Sequence, residues 1–318
     1  MKNNCPVCNS TKTESFYELY DDRYGYSGHF VLLKCNSCNH KFIDHRFSSN
    51  ELGDLYSNYY PRSNMKVEDY SPLKYEKNFK SWLNGEERSA FSYVPKNVRV
   101  LDIGCGFGQS LGYHRNRGCE VYGVEADENI RRVADKFGFN VKVGLFDPAD
   151  YELNFFDYVT MDQVIEHVTN PIDVLKGINS ILKSDAICVL STPSSNGWGA
   201  KVFGKRWINW HTPYHLQHFS RQSVELIAKE AGFEIESIKT VTSSEWLYYQ
   251  WIHVFTFPKA GEKSIFWGSD SQGKSIFKKI ILKLLSIIHK TKINHILTRL
   301  FDGMGMGDNY IIILRKIK

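Results

Sequence analysis

The chain has 318 residues, 42% of them hydrophobic and 24% charged, and a formal net charge of +5. That composition excludes a largely disordered chain, and the length accommodates one sizeable α/β domain plus a small accessory unit. The charge is uneven: residues 259–318 carry twelve Lys or Arg against four Asp or Glu. The rest of the chain is therefore slightly acidic, which excludes a broadly basic nucleic-acid surface on the body.

No apolar run opens the chain, and no uncharged apolar run reaches the roughly eighteen residues of a spanning helix, so a cytoplasmic protein is expected. Residues 1–47 read as one unit holding two cysteine pairs, "CPVC" at 5–8 and "CNSC" at 35–38, with twenty-six residues between them. Two such knuckles make a tetrahedral Zn²⁺ site with Cys5, Cys8, Cys35 and Cys38 as ligands. Four thiolates leave no open position, so the zinc is expected to be structural and to supply most of the folding energy of so small a unit. The unit holds six basic and five acidic residues, which is no electrostatic footprint for nucleic acid.

Residues 48–97 read as a linker and helical segment. The stretch 48–71 is rich in Tyr, Ser and Asn, and 72–93 suggests a helix. From Val98 to the end, strands alternate with helices. Strands are expected at 98–103, 120–124, 140–143, 156–161 and 186–191, with helices around 108–117, 128–137 and 171–182. That alternation predicts a parallel sheet with helices on both faces. An aromatic, His-rich loop at 197–219 follows, then a helix capped by Ser220 and a strand near 233–241. A helical insertion spans about 245–305, "MGMGDN" at 304–309 reads as a turn, and "NYIIILRKI" closes the domain as a last strand.

Within the insertion, "KSIFKKIILKLLSIIHK" (274–290) fits an amphipathic helix. Lys274, Lys278, Lys279, Lys283 and Lys290 share one face. Ile276, Phe277, Ile280, Ile281, Leu284, Ile287 and Ile288 share the other, and Leu282 and Leu285 spill toward the polar side. It is too short and too charged to span a bilayer. Its apolar face is expected to pack on the domain or on a second subunit, with peripheral contact to an anionic membrane through 274–290 as the alternative. The oligomeric state is left open.

The most informative stretch is "VRVLDIGCGFGQS" (98–110), where Gly104, Gly106 and Gly108 follow a buried strand. A glycine-rich turn between strand and helix lets backbone N–H groups approach a ligand. The spacing G-x-G-x-G differs from the dinucleotide pattern G-x-G-x-x-G. Glu125 ends the next strand, where a carboxylate can accept both hydroxyls of a ribose. Asp102 sits just before the loop, placed to orient it or to meet a cationic amino group.

These motifs resemble class I S-adenosylmethionine-dependent methyltransferases. "VLDIGCGFG" is similar to the first motif of that family and "VYGVEAD" to the second. "FDYVTMDQVIEHVTNP" and "LKSDAICVLSTPSSNG" resemble its fourth- and fifth-strand segments. The resemblance covers about 72–243 and resumes at 309–317. It implies a Rossmann-like, mostly parallel seven-stranded sheet with helices on both faces, beside the N-terminal zinc unit. It further implies that Gly104, Gly106 and Gly108 hold the methionine end of the cofactor, Asp102 the loop and amino group, and Glu125 the ribose. Phe146 would flank the adenine, and Asp162 or Gln163 would line the methionyl pocket.

Two constellations lie where the methyl acceptor would bind. Glu166-His167 resembles the Glu-His of ubiquinone-pathway O-methyltransferases, in which an acidic residue three positions earlier can join a divalent metal. Here that position is Gln163, which counts against a catalytic metal. "WINWHTPYHLQHFS" (207–220) holds His211, His215 and His218 among Trp207, Trp210 and Tyr214, aromatics that either stack on a sugar or belong to the core. It resembles the acceptor-side loop of methyltransferases of sugar and polysaccharide biosynthesis. His215 is the first candidate for general base and His167 the second. The expected reaction is methyl transfer to a small or carbohydrate acceptor, foremost a sugar hydroxyl. The alternatives are sugar C-methylation, and RNA methylation with the zinc unit as a docking element. The charge balance of residues 1–47 and the absence of an NPPY-type signature count against RNA.

Overall fold

Seven strands make the central sheet, and their sequences explain their places. Val100–Ile103, Val159–Met161 and Cys188–Leu190 are continuously buried runs, apolar except for Asp102 and Thr160, as strands covered on both faces require. The computed structural model describes residues 4–45, 47–48, 51, 55–59, 66–267 and 276–317, without the side chains of 56, 57 and 276–279. Parts of the expected linker, Lys274, and the side chains of Ile276, Phe277, Lys278 and Lys279 thus lie outside the described residues.

The elements of the main sheet are β4 (Arg99–Ile103), β5 (Glu120–Glu125), β6 (Asn140–Val143), β7 (Phe156–Asp162), β8 (Leu182–Pro193), β10 (Phe233–Thr240) and β11 (Asn309–Lys316). Their order is β10-β11-β8-β7-β4-β5-β6. All pairs from β8 to β6 are parallel; β11 inserts antiparallel between β8 and β10. The helices between them are α2 (Gln109–Arg115), α3 (Ile130–Phe137), α4 (Pro171–Ile181), α5 (Trp198–Phe203) and α6 (Arg221–Glu230). Chain order reverses between β4 and β7, so the crevice beyond their carboxyl ends is the switch point where such sheets bind ligands.

The expected helix over 72–93 is shorter. Only α1 (Phe79–Asn84) is α-helical, followed by single 3₁₀ turns at Glu86–Arg88 and Ala90–Tyr93. Asn78 and Ser81 cap its start reciprocally, and Gly85, at φ +71°, ends it. At Ser220 the expected cap is present, again as a reciprocal pair with Ser223.

A second sheet joins distant parts of the chain. Strands β1 (Thr13–Leu19), β2 (Phe30–Cys35) and β3 (Lys41–Ile43) are antiparallel, and the fourth strand is β9 (Gln217–His218), from the His-rich loop. Leu19, Phe30, Leu32 and Ile43 share one apolar cluster with Trp207 and Trp210. The N-terminal unit thus completes its core with side chains from the loop it covers.

The insertion consists of α7 (Ser244–Phe255), α8 (Ile276–Lys290) and α9 (Ile293–Gly303). Burial on α8 departs from expectation. Leu285, assigned toward the polar side, is buried, whereas Ile280, Leu284, Ile287 and Ile288 are exposed.

Candidate active site

At the end of β4 the three loop glycines take φ values of +76°, +55° and +74°, a region that side chains disfavour. A Cβ on Gly104 would lie 2.4 Å from Val164 Cγ2, so this glycine lets the loop after β7 pack closely. A Cβ on Gly106 would meet nothing within 4 Å, so that backbone faces open space. Glu125 is locked beside it: Oε2 accepts the Gly106 N–H at 2.8 Å and Oε1 the Asp127 N–H at 2.9 Å. Each oxygen keeps a lone pair for a further donor.

Asp102 is buried under the loop and accepts hydroxyl hydrogens from Ser110 and, at 2.7 Å, from Thr160. Burial raises its pKa to about 6, against the pull of those two hydrogen bonds. Asp162, at the end of β7, has a buried Oδ1 that accepts no hydrogen bond among the described residues. Gln163, with φ +58°, turns instead to β8 and β11, where Nε2 donates to Ser191 Oγ at 2.7 Å and Asn309 Oδ1 at 2.8 Å. Phe146 stacks on Tyr151 at 6.2 Å and packs beside Gly177 of α4. Gly104, Gly106, Gly108 and Glu125 thus lie together at the carboxyl end of β4, with Asp102 buried beneath them and Asp162 ending β7, while Gln163 and Phe146 are turned toward protein neighbours.

Beyond β7 the chain folds the two expected acceptor-side constellations together. The N–H groups of Leu216 and Gln217 donate to Glu166 O at 2.8 and 2.9 Å. The His167 and His215 rings lie 4.7 Å apart at 89°, and His211 lies 4.8 Å from His215. His167 Nδ1 is 2.9 Å from Tyr214 O. His215 Nδ1 is 2.9 Å from Asn209 O, and its Nε2 is 3.4 Å from His211 Nδ1. His218 stands apart on β9 against Trp210. Burial holds His167 at about 4 and keeps His211, His215 and His218 well below the ordinary range. At neutral pH all four are uncharged. Trp207, Trp210 and Tyr214 are buried and belong to the core.

Glu166 is fully buried: Oε2 accepts from Thr192 Oγ1 at 3.0 Å, and Oε1 accepts nothing among the described residues. Burial lifts its pKa to about 8. Arg88, which sequence reasoning missed, shares this interior; Asp162 and Glu166 counter the burial of its guanidinium, which lies 5.0 Å from the Trp246 ring. Nothing in its sequence surroundings signals that role, because it falls in a segment that reads as helix. One ligand atom each from Glu166, His167 and His215 lie within 4.8 Å of one another, a set that could hold a cation.

The raised Glu166 pKa has a measurable sign. The folded chain keeps a proton that the unfolded chain releases, so this group's contribution to stability declines as pH rises from about 4.5 to about 8. Glu166→Gln is expected to remove that decline. Its thermal midpoint should gain on the wild type across this window and run parallel below it; a difference independent of pH would contradict the assignment.

The four cysteines form the second candidate centre. Their sulfurs all lie within 4.8 Å of one another, with Cys5–Cys38 at 3.6 Å and Cys8–Cys35 at 3.5 Å. Zinc–sulfur bonds of about 2.3 Å in a tetrahedron place sulfurs roughly 3.8 Å apart, so the cluster fits a zinc ion. No disulfide links them. A hydrogen bond from Cys38 holds the Cys5 thiol below the ordinary thiol range.

Between the N-terminal unit and the His-rich loop lies a cavity of about 330 Å³. Its walls include Tyr20, Phe257 and Trp210, with Asp22, Thr212, Lys205 and Arg206. The Thr212 hydroxyl is buried and has no hydrogen-bond partner among the described residues. Among the described residues Asp22 Oδ1 accepts no hydrogen bond and lies 3.9 Å from Arg23 Nε, while Oδ2 lies 3.2 Å from His253 Nε2.

The sheet order, the glycine loop and the carboxylate on the second strand define the chain as an α/β enzyme of the Rossmann-like methyltransferase fold. A family model described as "Methyltransferase domain" matches residues 72–238, and the chain belongs to that family, as an S-adenosylmethionine-dependent methyltransferase. The ubiquinone biosynthesis O-methyltransferase of Xanthomonas axonopodis pv. citri is 26% identical over 165 residues, covering 48% of this chain and 69% of that protein. The protein of the same name from Roseobacter denitrificans is 34% identical over 107 residues, covering 32% of this chain and 43% of that one. Among solved structures, phosphoethanolamine N-methyltransferase 2 of Haemonchus contortus, in complex with S-adenosyl-L-methionine, matches with a TM-score of 0.50. It is 19% identical and covers 87% of this chain and 62% of that chain, a likeness of fold.

Proposed function

We propose that this chain transfers the methyl group of S-adenosylmethionine to a sugar hydroxyl, as an O-methyltransferase of polysaccharide or related biosynthesis. The observation that carries the carbohydrate reading is the cavity beside the His-rich loop. Tyr20 and Phe257 of its walls suit the faces of a pyranose ring. The unsatisfied Asp22 and Thr212 groups suit hydroxyls, and Lys205 and Arg206 suit a phosphate or carboxylate on the sugar. The names of the curated relatives support oxygen as the atom methylated.

The cofactor supplies an electrophilic methyl on a sulfonium. Toward it, the loop of Gly104, Gly106 and Gly108 offers open backbone, Glu125 offers acceptors for a ribose diol, and the unpartnered Asp162 Oδ1 offers an acceptor for the amino group. Asp102 holds the loop, and the turn containing Phe146 is left for the adenine side. Catalysis is then alignment of a hydroxyl in line with the methyl, which proximity and orientation achieve, plus removal of one proton. With the cofactor bound, its sulfonium would give up the methyl to the hydroxyl oxygen; this chain's own part is to hold that hydroxyl and take its proton on an imidazole. His167 is the less buried ring, which favours it as base, and His215, whose ring lies 4.7 Å away, as the residue that positions it. The four cysteines are assigned to a structural zinc ion.

The test is transfer of labelled methyl from S-adenosylmethionine into fractionated extract: RNA, nucleotide sugars, soluble glycans and lipid-linked glycans. Label in a sugar-bearing fraction supports the proposal; label confined to RNA overturns it and makes the zinc unit a docking element. Glu125→Ala tests the ribose assignment separately. Loss of two charge-assisted hydrogen bonds should weaken cofactor binding at least ~30-fold by calorimetric titration. Unchanged affinity removes the assignment.

A further inference from the structure

Helix α9 is amphipathic in the wrong sense for a helix packed on a water-soluble core. Its buried positions are Asn294, His295 and Thr298, whereas Ile293, Ile296 and Leu300 are 57–62% exposed. Adjoining α8 repeats this in part, with Ile280, Leu284, Ile287 and Ile288 outside. Helix α1 packs against α9, with Arg299 donating to Trp82 O, and adds exposed Phe79 and Trp82. Apolar side chains on an outer face are ordinary singly; gathered on three touching helices they mark an interaction surface.

The charge says what covers it. Between Asp270 and Asp302 the sequence has no carboxylate, while Lys283, Lys290 and Lys292 are exposed on or beside the two helices. Asp302 itself is paired with Arg299 at 2.7 Å. A second copy would bring a like-charged face against this one. An anionic lipid surface supplies both an apolar layer and the opposite charge, and an exposed Trp suits the headgroup boundary. Among the described residues no helix is long and apolar enough to cross a membrane, so the contact is one of lying on the surface.

We infer that α1, α8 and α9 form a docking face for an anionic bilayer surface, with the isoleucines and leucines entering the headgroup boundary and the lysines meeting lipid phosphates. The inference is independent of the acceptor's identity. Its test is co-sedimentation of the full chain with vesicles of phosphatidylcholine alone and of phosphatidylcholine mixed with phosphatidylglycerol. Binding to the mixed vesicles, weakening with salt, is expected. Lys283→Glu with Lys290→Glu should reduce partitioning at least ~30-fold. Ile296→Glu with Leu300→Glu should abolish it. All four positions are exposed and remote from the glycine loop, so cofactor binding and the thermal midpoint serve as checks that the variants fold. Equal binding by wild type and variants, or none by the wild type, overturns the inference. So does a dimer in sedimentation equilibrium that Leu300→Glu dissociates while vesicles are ignored; the face would then be a self-interface.

Discussion

Cys35→Ser is expected to leave a protein that still binds S-adenosylmethionine but no longer transfers its methyl group. Cys35 is the last residue of β2, fully buried, and its N–H donates to His40 O. A four-thiolate zinc site contributes on the order of 10–16 kcal/mol to a small unit, so losing a ligand should unravel it. The damage does not stop there. Lys41 and Phe42 of β3 pair with His218 and Gln217 of β9, His40 Nε2 lies 2.8 Å from Gln217 Oε1, and Ser220 Oγ donates to Cys38 O at 2.8 Å. Gln217 in turn donates to Val168 O, next to His167. The cysteine unit thus holds the loop that carries His211 and His215, while the glycine loop and Glu125 are anchored in the other sheet. Misplacement of acceptor-side groups by about 1 Å costs on the order of 100-fold in rate, and that is the minimum loss expected here. Metal content should fall from one zinc per chain to none, with cofactor affinity within ~3-fold of wild type. Full transfer by metal-free protein would show that the two regions are uncoupled.

The second large effect is expected at His167. If it takes the hydroxyl proton, His167→Ala should reduce the rate of label transfer by roughly 100- to 10,000-fold with cofactor affinity unchanged. Burial, which holds this imidazole at about 4, adds a signature that a structural role would not show. The wild-type rate should not fall on acidification through the usual histidine range near 6.5, only below about pH 5. His215→Ala should cost less, and should change the pH profile by shifting the His167 limb. An inflection near 6.5 that His167→Ala leaves in place would assign the base elsewhere. If His215→Ala is the more damaging variant, the two roles exchange.

The cofactor half of this molecule was legible because its signals are local. Gly104, Gly106 and Gly108 are three positive-φ positions within five residues, and Glu125 ends the following strand; backbone chemistry alone ties such a pattern to a strand–turn–helix crevice. The strands were legible for the same reason, as apolar runs such as Cys188–Leu190 between polar turns. The acceptor half depends on contacts between residues far apart in sequence. Nothing near Lys41 announces that it will lie beside His218, and nothing near Arg88 announces that it will enter an interior shared with Asp162 and Glu166. The three aromatics Trp207, Trp210 and Tyr214 could equally have faced ligand or core; the partners that decided it, the apolar face of β1–β3 for the two tryptophans and Tyr24 and Leu55 for Tyr214, lie more than 150 residues upstream. Helix α8 misled for a further reason. Periodicity shows that a helix has an apolar face but not whether that face turns inward, and here Leu285 goes in while Ile280 and Leu284 stay out.

The three helices of the insertion leave and rejoin the sheet at a single point. Strands β10 and β11 are antiparallel neighbours, Thr240 lies opposite Tyr310, and the Val241 N–H donates to Asn309 O at 2.9 Å. The whole segment is therefore a long hairpin connection, and such connections change length at little thermodynamic cost. It is tied down along its length: Asp302 accepts the Thr242 N–H at 2.9 Å, Gln250 accepts the Ile208 N–H at 2.8 Å, Pro258 O accepts the Tyr20 hydroxyl at 2.8 Å, and the Ser264 N–H donates to Arg23 O at 2.9 Å. The insert is therefore not a free appendage: it reaches back to the N-terminal unit, where Phe257 walls the cavity and His253 Nε2 lies 3.2 Å from Asp22 Oδ2. A change of length between Val241 and Asn309 leaves the strands that hold the glycine loop in register, yet it is felt at the cavity, so the sheet and the acceptor side answer differently to the same alteration.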